Sequence, residues 1–300
     1  MPPRPRRWQV DAALISIALI WGTTFVLVKE ALDDISTLLF LTLRFSMATA
    51  ALALLFGRRV RTDLRAHASV APSIRGGLLA GAFLFAGYVL QTFGLKYTTA
   101  SKAGFLTGLY IPLVPLLGAV VYKKFPQTAE CIGVLCAFLG MALMTVQRDI
   151  FSIGSGDLLV VACALAYAFH ILILGHFAQG ASIPLLTVVQ IATAALLGAA
   201  TFWWAEPARV RWSPGVWLAL GITSLLATAM AFALQTWAQQ YSSPARTALI
   251  FSLEPVFALV TSFVLLGERL PGRGLAGAGL ILGGILLVEL KPLRAGQHPS

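Results

Sequence analysis

Long apolar runs alternate with short polar connections along the whole chain. A bilayer core about 30 Å thick needs roughly 20 helical residues, because each residue of an α-helix rises about 1.5 Å. Ten runs come close to that length, and helices are favoured over strands because lipid offers backbone groups no hydrogen-bonding partners. The predicted membrane-spanning segments are 11–28, 37–56, 76–95, 100–122, 131–146, 158–177, 183–204, 216–239, 245–266 and 275–290. The predicted fold class is an all-α membrane protein.

Composition supports a surface that faces lipid. Of the 300 residues, 58% are hydrophobic and 11% are charged, whereas a soluble domain normally carries about 25% charged residues. The net charge of +10 does not indicate a nucleic-acid partner, because the basic residues cluster in short connections such as 57–75, as the positive-inside rule expects. Their distribution predicts a cytoplasmic N-terminus, and the even number of spans places the C-terminus there too. The expected location is the plasma (inner) membrane, as a multi-pass protein.

No residue spacing indicates a cofactor or a metal site. The three cysteines lie inside apolar runs, without the spacing of a metal site or a disulfide framework. The expected partners are a small-molecule substrate and the lipid bilayer. Protons fit as a coupling ion, and both a monomer and a homodimer fit the sequence.

An internal repeat divides the ten segments into two groups of five. Residues 90–104 align with 234–248 at an offset of 144, and the same offset places 131–146 on 275–290. Because five is an odd number, the second copy would enter the membrane from the opposite side, and inverted repeats are typical of secondary transporters. The alternative is chance similarity among apolar helices. The predicted parts are a cytoplasmic segment 1–10, a first five-helix repeat 11–146, a linker 147–157, a second repeat 158–290 and a cytoplasmic tail 291–300.

Two charged residues, Arg44 and Glu254, lie well inside predicted spans. A charge at membrane depth costs at least about 2.5–3.5 kcal/mol on insertion scales, so it usually faces a cavity or a partner. Arg44 is either an anchor for a substrate carboxylate or phosphate, or a structural tie to backbone carbonyls or to Glu254. Glu254 either binds a substrate ammonium group or a coupling proton, or makes a structural hydrogen bond. Pro255 follows it, removes one helical hydrogen bond and predicts a kink in that helix.

Several uncharged polar residues are also candidates for the transport pathway. Gln91 and Gln235 match in the repeat, and the inverted topology predicts that they mark opposite mouths of one pathway. Hydrogen bonding between helices is the equal alternative. Tyr88 lies on the same helical face as Gln91. Tyr110 occupies the position equivalent to Glu254 and is expected near the middle of the membrane.

A further set of candidates lies on the first and sixth predicted segments. Trp21 and Tyr167 are equivalent in the repeat and are candidates for stacking on a planar substrate. Thr24 and His170 lie about one turn from them. His170 is either a structural hydrogen-bonding group or a substrate contact.

Residues 21–25 (WGTTF) resemble the opening signature of EamA-type members of the drug/metabolite transporter superfamily. Arg44, the junction 97–100 (YTTA), the pair 254–255 (EP) and the later stretch 266–270 (LGERL) also resemble that family. The resemblance covers nearly the whole chain. It implies ten helices in two inverted repeats around a central cavity, and export or exchange of small metabolites, often amino acids. Within the family the chain looks most like aromatic amino-acid exporters.

Together these features predict a secondary transporter that exports amino acids, aromatic or other neutral ones, by alternating access. Arg44 would hold the carboxylate, Glu254 the ammonium group, and aromatic rings the side chain. The first segment has no embedded glutamate of the kind used by small multidrug relatives, which disfavours a cation-drug antiporter. The predicted substrate-binding residues are Trp21, Thr24, Arg44, Tyr88, Gln91, Tyr110, Tyr167, His170, Gln235 and Glu254.

Other functions remain as alternatives. A transporter could instead carry sugar phosphates, nucleosides or drugs. A membrane-embedded enzyme would need clustered acid–base or metal-binding residues, and a channel would need a filter or a charged ring. Neither pattern is legible in the sequence.

Overall fold

The computed structural model describes residues 5–66, 69–98, 100–123, 125–145, 154–266 and 272–290. The predicted tail 291–300 and the first part of the predicted linker, 147–153, lie outside the described residues. So do Thr99 and residues 267–270 of the family motifs.

The described residues are helical, and they contain no β-strand beyond one isolated bridge between Ile35 and Val210. The helices are α1 (Arg7–Ala31), α2 (Thr37–Ala66), α3 (Val70–Leu95), α4 (Ala100–Thr107), α5 (Tyr110–Tyr122), α6 (Thr128–Thr145), α7 (Ser155–Phe177), α8 (Ile183–Thr201), α9 (Pro214–Ser224), the π-helical turn π1 (Leu225–Met230), α10 (Ala231–Ala238), α11 (Pro244–Phe251), α12 (Glu254–Leu266) and α13 (Gly272–Leu290).

Seven helical stretches of the described chain are long and apolar enough to cross a membrane. They are Thr37–Ala66, Val70–Leu95, Ala103–Tyr122, Ser155–Phe177, Ile183–Thr201, Pro214–Ala238 and Pro244–Thr261. Two further apolar helices, Thr128–Met144 and Gly272–Val288, are shorter. Large apolar side chains also face outward, with Leu54 88% and Val120 76% exposed. The predicted all-α membrane class is confirmed, because such a surface suits lipid rather than water.

Two predicted segments are broken in the middle. Segment 100–122 divides at Gly108 and Leu109 into α4 and α5, and segment 245–266 divides at Ser252 and Leu253 into α11 and α12. The second break lies just before Pro255, which cannot donate the hydrogen bond that would continue the helix. The sequence predicts a kink here, and the structure shows a full break between two helices. At an offset of 144, the two breaks fall on equivalent positions.

Helices α6 and α13 pack closely because glycines line their crossing. A Cβ atom built on Gly133 would lie 2.8 Å from the carbonyl oxygen of Gly284, and one on Gly284 would lie 2.6 Å from that of Gly133. Gly140 and Gly277 approach each other's carbonyl oxygens in the same way. Small residues at helix crossings allow this approach, which is a main source of helix association in lipid.

The loop after α1 is held to the segment before α9. The amide of Ser36 donates to the Arg209 carbonyl oxygen at 2.8 Å, and Asp34 accepts hydrogen bonds from Ser213 Oγ at 2.8 Å and Arg211 Nε at 2.9 Å. These bonds, the Ser213 bond foremost, lower the pKa of the Asp34 carboxyl below its usual range. They fix the ends of α2 and α9 relative to each other.

Candidate functional site

A cavity of about 110 Å³ lies between the two halves of the chain. A site for one water needs only about 10–15 Å³, so the cavity has room for a small metabolite. All ten residues predicted from the sequence line it: Trp21, Thr24, Arg44, Tyr88, Gln91, Tyr110, Tyr167, His170, Gln235 and Glu254. Sequence reasoning missed other lining residues, among them Thr107, Phe232 and Phe251. Substrate binding by the ten residues stays a prediction.

Arg44 is 4% exposed and contacts uncharged partners. Its Nε donates to Thr228 Oγ1 at 2.7 Å, and its Nη2 donates to the Tyr88 hydroxyl at 3.0 Å and to the Ala227 carbonyl oxygen at 3.4 Å. The guanidinium also lies 4.7 Å from the centre of the Tyr88 ring. Of the two structural ties considered from the sequence, the geometry matches the one to a backbone carbonyl, because no ion pair joins Arg44 to Glu254 among the described residues.

Arg44 and Trp21 meet at one backbone group, and that group lies within the π-helical turn. The wider turn π1 contains Ala227, whose carbonyl oxygen accepts from Trp21 Nε1 at 2.9 Å as well as from Arg44. π-helical turns are rare and are frequently found at functional sites. The apolar pattern of 216–239 predicts a plain helix, and Thr228 is the one polar hint within π1.

Aromatic rings form one wall of the cavity. The Trp21 ring centre lies 5.1 Å from that of Phe251, edge-on, and 5.6 Å from that of Phe232. Tyr88 and Tyr167 meet edge-on at 5.8 Å. Such distances are typical of stabilising aromatic pairs. Trp21 and Tyr167 therefore each pack against other rings that line the cavity.

Three of the polar lining residues already have partners in the protein. Gln91 Nε2 donates to Thr107 Oγ1, and its Oε1 accepts from the Tyr167 hydroxyl, both at 3.2 Å. His170 Nε2 lies 3.1 Å from Gln190 Oε1, which matches the structural alternative for this histidine. Thr24 Oγ1 donates back to the Trp21 carbonyl oxygen at 3.2 Å.

Two acceptors on the cavity lining have no partner among the described residues. Gln235 is 1% exposed, and its Oε1 is a buried oxygen without a hydrogen bond. The Glu254 carboxylate has neither a hydrogen bond nor an ion pair to a described residue. Gly22 allows this part of α12 to lie against α1, because a Cβ there would be 2.5 Å from the Glu254 carbonyl oxygen.

The glutamines differ from the sequence-based prediction in their placement. The sequence predicts Gln91 on α3 and Gln235 on α10 at opposite mouths of one pathway. The structure places both on one cavity, because α3 and α10 border the same space. Tyr110 and Glu254 lie on this cavity too, where the two broken helices resume.

The family comparison matches the chain twice. The model of the EamA-like transporter family fits residues 9–146 and again residues 154–290. A solved crystal structure that is 18% identical superposes with a TM-score of 0.78 and covers 95% of this chain and 98% of its own. That likeness shows the fold alone.

Full-length relatives carry transporter names. The chain is 35% identical over 291 residues to a protein of Archaeoglobus fulgidus named an uncharacterized transporter, with 95% of this chain and 87% of the relative covered. It is 26% identical to a protein of Streptantibioticus cattleyicolor named a probable terminal-alkyne amino-acid exporter, with 96% of both chains covered. It is also 26% identical to a protein of Salmonella typhimurium named a probable amino-acid metabolite efflux pump, with 90% and 91% covered.

Proposed function

Because this chain belongs to the EamA-like transporter family, we propose that it is a secondary transporter that exports amino acids by alternating access. The substrates are aromatic or other neutral amino acids, and the membrane is the plasma membrane. One observation carries this proposal: the central cavity joins an aromatic wall to Glu254, a carboxylate without a partner among the described residues. A ligand with an ammonium group and an apolar side chain complements that lining.

Ten spans in two inverted repeats, 11–146 and 158–290, form the scaffold of this transporter. Each broken pair counts as one span, as does the continuous stretch α9–π1–α10. The double match of the family model supports the repeat. So does the crossing of α6 and α13, where Gly133 contacts Gly284 and Gly140 contacts Gly277. Equivalent positions of two copies exchange contacts in this way around a two-fold axis.

The orientation follows from the basic connections. The N-terminal segment 1–10, the arginine-rich connection 57–75 and the C-terminal tail lie in the cytoplasm, as the positive-inside rule favours. Residues 147–157 form the linker that joins the repeats. A monomer and a homodimer both accommodate this arrangement, and protons fit as the coupling ion.

The two charged side chains bind opposite charges of the substrate. Glu254 binds the ammonium group. Arg44 binds the carboxylate through Nη1, which has no hydrogen bond to the described residues, while its Nε and Nη2 stay tied to Thr228, Tyr88 and Ala227. The names of two relatives, which refer to amino-acid export and amino-acid metabolite efflux, support this substrate class.

Counterflow in proteoliposomes tests the proposal. Labelled phenylalanine, leucine and threonine are offered to purified protein, beside a nucleoside and a sugar phosphate that represent the alternative substrate classes. We expect saturable counterflow of at least one amino acid, and a loss of at least about tenfold in Glu254→Gln because the charge partner of the ammonium group is removed.

Glu30→Gln makes the same chemical change at an exposed position of α1 and serves as the control. Saturable transport of the nucleoside or the sugar phosphate without any amino acid would replace the proposed substrate class. Unchanged amino-acid transport in Glu254→Gln would remove Glu254 from the site. Repeating the assay with and without a pH gradient separates proton coupling from exchange.

A further inference from the structure

The polar side chains around the cavity differ in how many of their hydrogen-bonding atoms the protein already uses. Trp21 Nε1 donates to a carbonyl oxygen, and the amide nitrogens of Gln91 and Gln235 donate to Thr107 and Gln239. Among the groups without a partner in the described part of the chain, Gln235 Oε1 and the Glu254 carboxylate are acceptors, whereas Arg44 Nη1 and the Tyr110 hydroxyl can donate. A buried acceptor without a donor is costly in free energy, so it usually has a partner. A ligand in this cavity is therefore expected to bring N–H donors.

Gln239 fixes the orientation of the Gln235 side-chain amide, because it accepts a hydrogen bond from the amide nitrogen. Gln239 Nε2 donates to the Ile171 carbonyl oxygen at 2.9 Å. A backbone carbonyl can only accept, so this bond leaves Gln239 Oε1 facing Gln235. Gln235 must then present its Nε2 to Gln239, at 3.1 Å. Its oxygen is the atom left over, and turning the amide would place two oxygens against each other.

We propose that Gln235 Oε1 and the Glu254 carboxylate together bind the ammonium group of the substrate, and that Gln239 is a positioning residue that keeps the oxygen of Gln235 available. The inference rests on the proposed function, since it takes this cavity as the substrate site. An ammonium group carries three N–H donors and no acceptor, so it can satisfy both oxygens at once. The hydroxyl of an α-hydroxy acid has one donor and no charge.

The arrangement therefore selects for the amino group itself. An amine that lacks the carboxylate keeps the contacts to both oxygens and binds. An α-hydroxy acid leaves at least one buried acceptor unpaired and is rejected, because sites built to hydrogen-bond a group discriminate strongly against analogues without it. Gln239 does not line the cavity, so its effect is exerted through Gln235 alone.

Binding of matched probes tests this inference. Phenylalanine, 2-phenylethylamine and 3-phenyllactate share one side chain, and leucine, 3-methylbutylamine and 2-hydroxy-4-methylpentanoate share another. Calorimetric titration of the purified protein is expected to show binding of the amine at least tenfold tighter than that of the hydroxy acid in at least one set. In Gln239→Met the ratio should fall at least tenfold, because the Gln235 amide is free to turn its nitrogen toward the cavity.

Gln240→Met is the matched control, since Gln240 also donates to a backbone carbonyl, that of Ala178 at 2.9 Å, but has no hydrogen bond to Gln235 among the described residues. Its amine-to-hydroxy-acid ratio should equal that of the wild type. A purely structural role of Gln239 would weaken all probes equally and leave the ratio unchanged, which would overturn the positioning role.

The wild-type comparison stands even where a variant fails to fold. Equal binding of amine and hydroxy acid, or binding of neither amine, would overturn the assignment of the two oxygens. The counterflow assay reports separately on the proposed function, because amino acids can be transported by a site that does not discriminate in this way. Amine selectivity without amino-acid transport would uphold the inference and overturn the proposed substrate class.

Discussion

The crossing of α6 and α13 allows two neighbouring glycines to be compared directly. A Cβ added at Gly284 would lie 2.6 Å from the Gly133 carbonyl oxygen and 3.2 Å from the Cys136 Cβ. A Cβ added at Gly283, one residue earlier on the same helix, would meet nothing within 4 Å. Gly284→Ala and Gly283→Ala are therefore the same chemical change, with and without a contact across the crossing.

The size of the effect follows from that contact. Real Cβ atoms essentially never approach closer than 3.0 Å, and a backbone carbonyl cannot rotate away as a side chain can. The helices must therefore separate, which typically costs about 1–3 kcal/mol for one extra methyl group in a packed interface. Both variants gain up to about 1 kcal/mol of helix propensity from alanine. The difference between them isolates the contact and should be about 1–3 kcal/mol.

Equilibrium unfolding in mixed micelles, followed by tryptophan fluorescence, measures this difference. We expect Gly284→Ala to unfold at lower denaturant than the wild type, and Gly283→Ala to unfold at the same or higher denaturant. The same free energy of unfolding for both variants would refute the close crossing of α6 and α13. Because that crossing supports the proposed two-fold relation of the repeats, the result also bears on the scaffold.

Two further predictions concern the π-helical turn and the loop after α1. Trp21→Phe keeps an aromatic ring but removes the donor to Ala227, so it should lower the free energy of unfolding by about 1 kcal/mol. Thermal unfolding checks this, with Trp8→Phe as a control at an exposed position. Equal losses of stability in both variants would contradict the prediction. Asp34→Ala should lower the melting temperature at pH 7. Because the hydrogen bond from Ser213 and the contacts with Arg211 hold the pKa of the Asp34 carboxyl below its ordinary value, the stabilisation is present above the ordinary carboxyl pKa. It is lost as the pH falls through the lower folded-state pKa. The gap between variant and wild type should therefore close below about pH 4, and a gap independent of pH would contradict the assignment.

The sequence predicts the fold class and the cavity residues because both follow from the cost of polarity in lipid. Arg44, Gln235 and Glu254 stand out against apolar surroundings, and a polar group at that depth needs a partner or a cavity. A kink near Pro255 is predictable from the missing N–H of proline, whereas the full break at Ser252 and Leu253 is seen only in the structure. Each of these features can be recognised within a single segment of the sequence.

Partners across helices could not be predicted in the same way. The contacts of Arg44 with Thr228 and Ala227 depend on the π-helical turn, and nothing in the apolar run that contains it specifies a wider turn. Phe232 and Phe251 are the aromatic partners of Trp21. They lie in apolar runs, where the sequence does not distinguish a phenylalanine that packs inside from one that contacts lipid. Charge and hydropathy are enough to locate a site. Which of its hydrogen-bonding atoms already have a partner in the protein is known only from the structure.

On the proposed repeat, the cavity combines a symmetric backbone with asymmetric chemistry. Tyr110 and Glu254 occupy equivalent positions at the two helix breaks, but only the second copy carries a carboxylate. Arg44, the buried cation, belongs to the first copy. If the two copies exchange conformations during transport, the ammonium group stays with the second copy and the carboxylate with the first. The two charged groups of a zwitterion then bridge the two copies, whereas the ammonium group of an amine binds the second copy alone. On the proposed function, binding and transport are separate requirements. Two free acceptors would suffice for an amine to bind, whereas movement of one copy against the other would be coupled most tightly to a ligand that holds both.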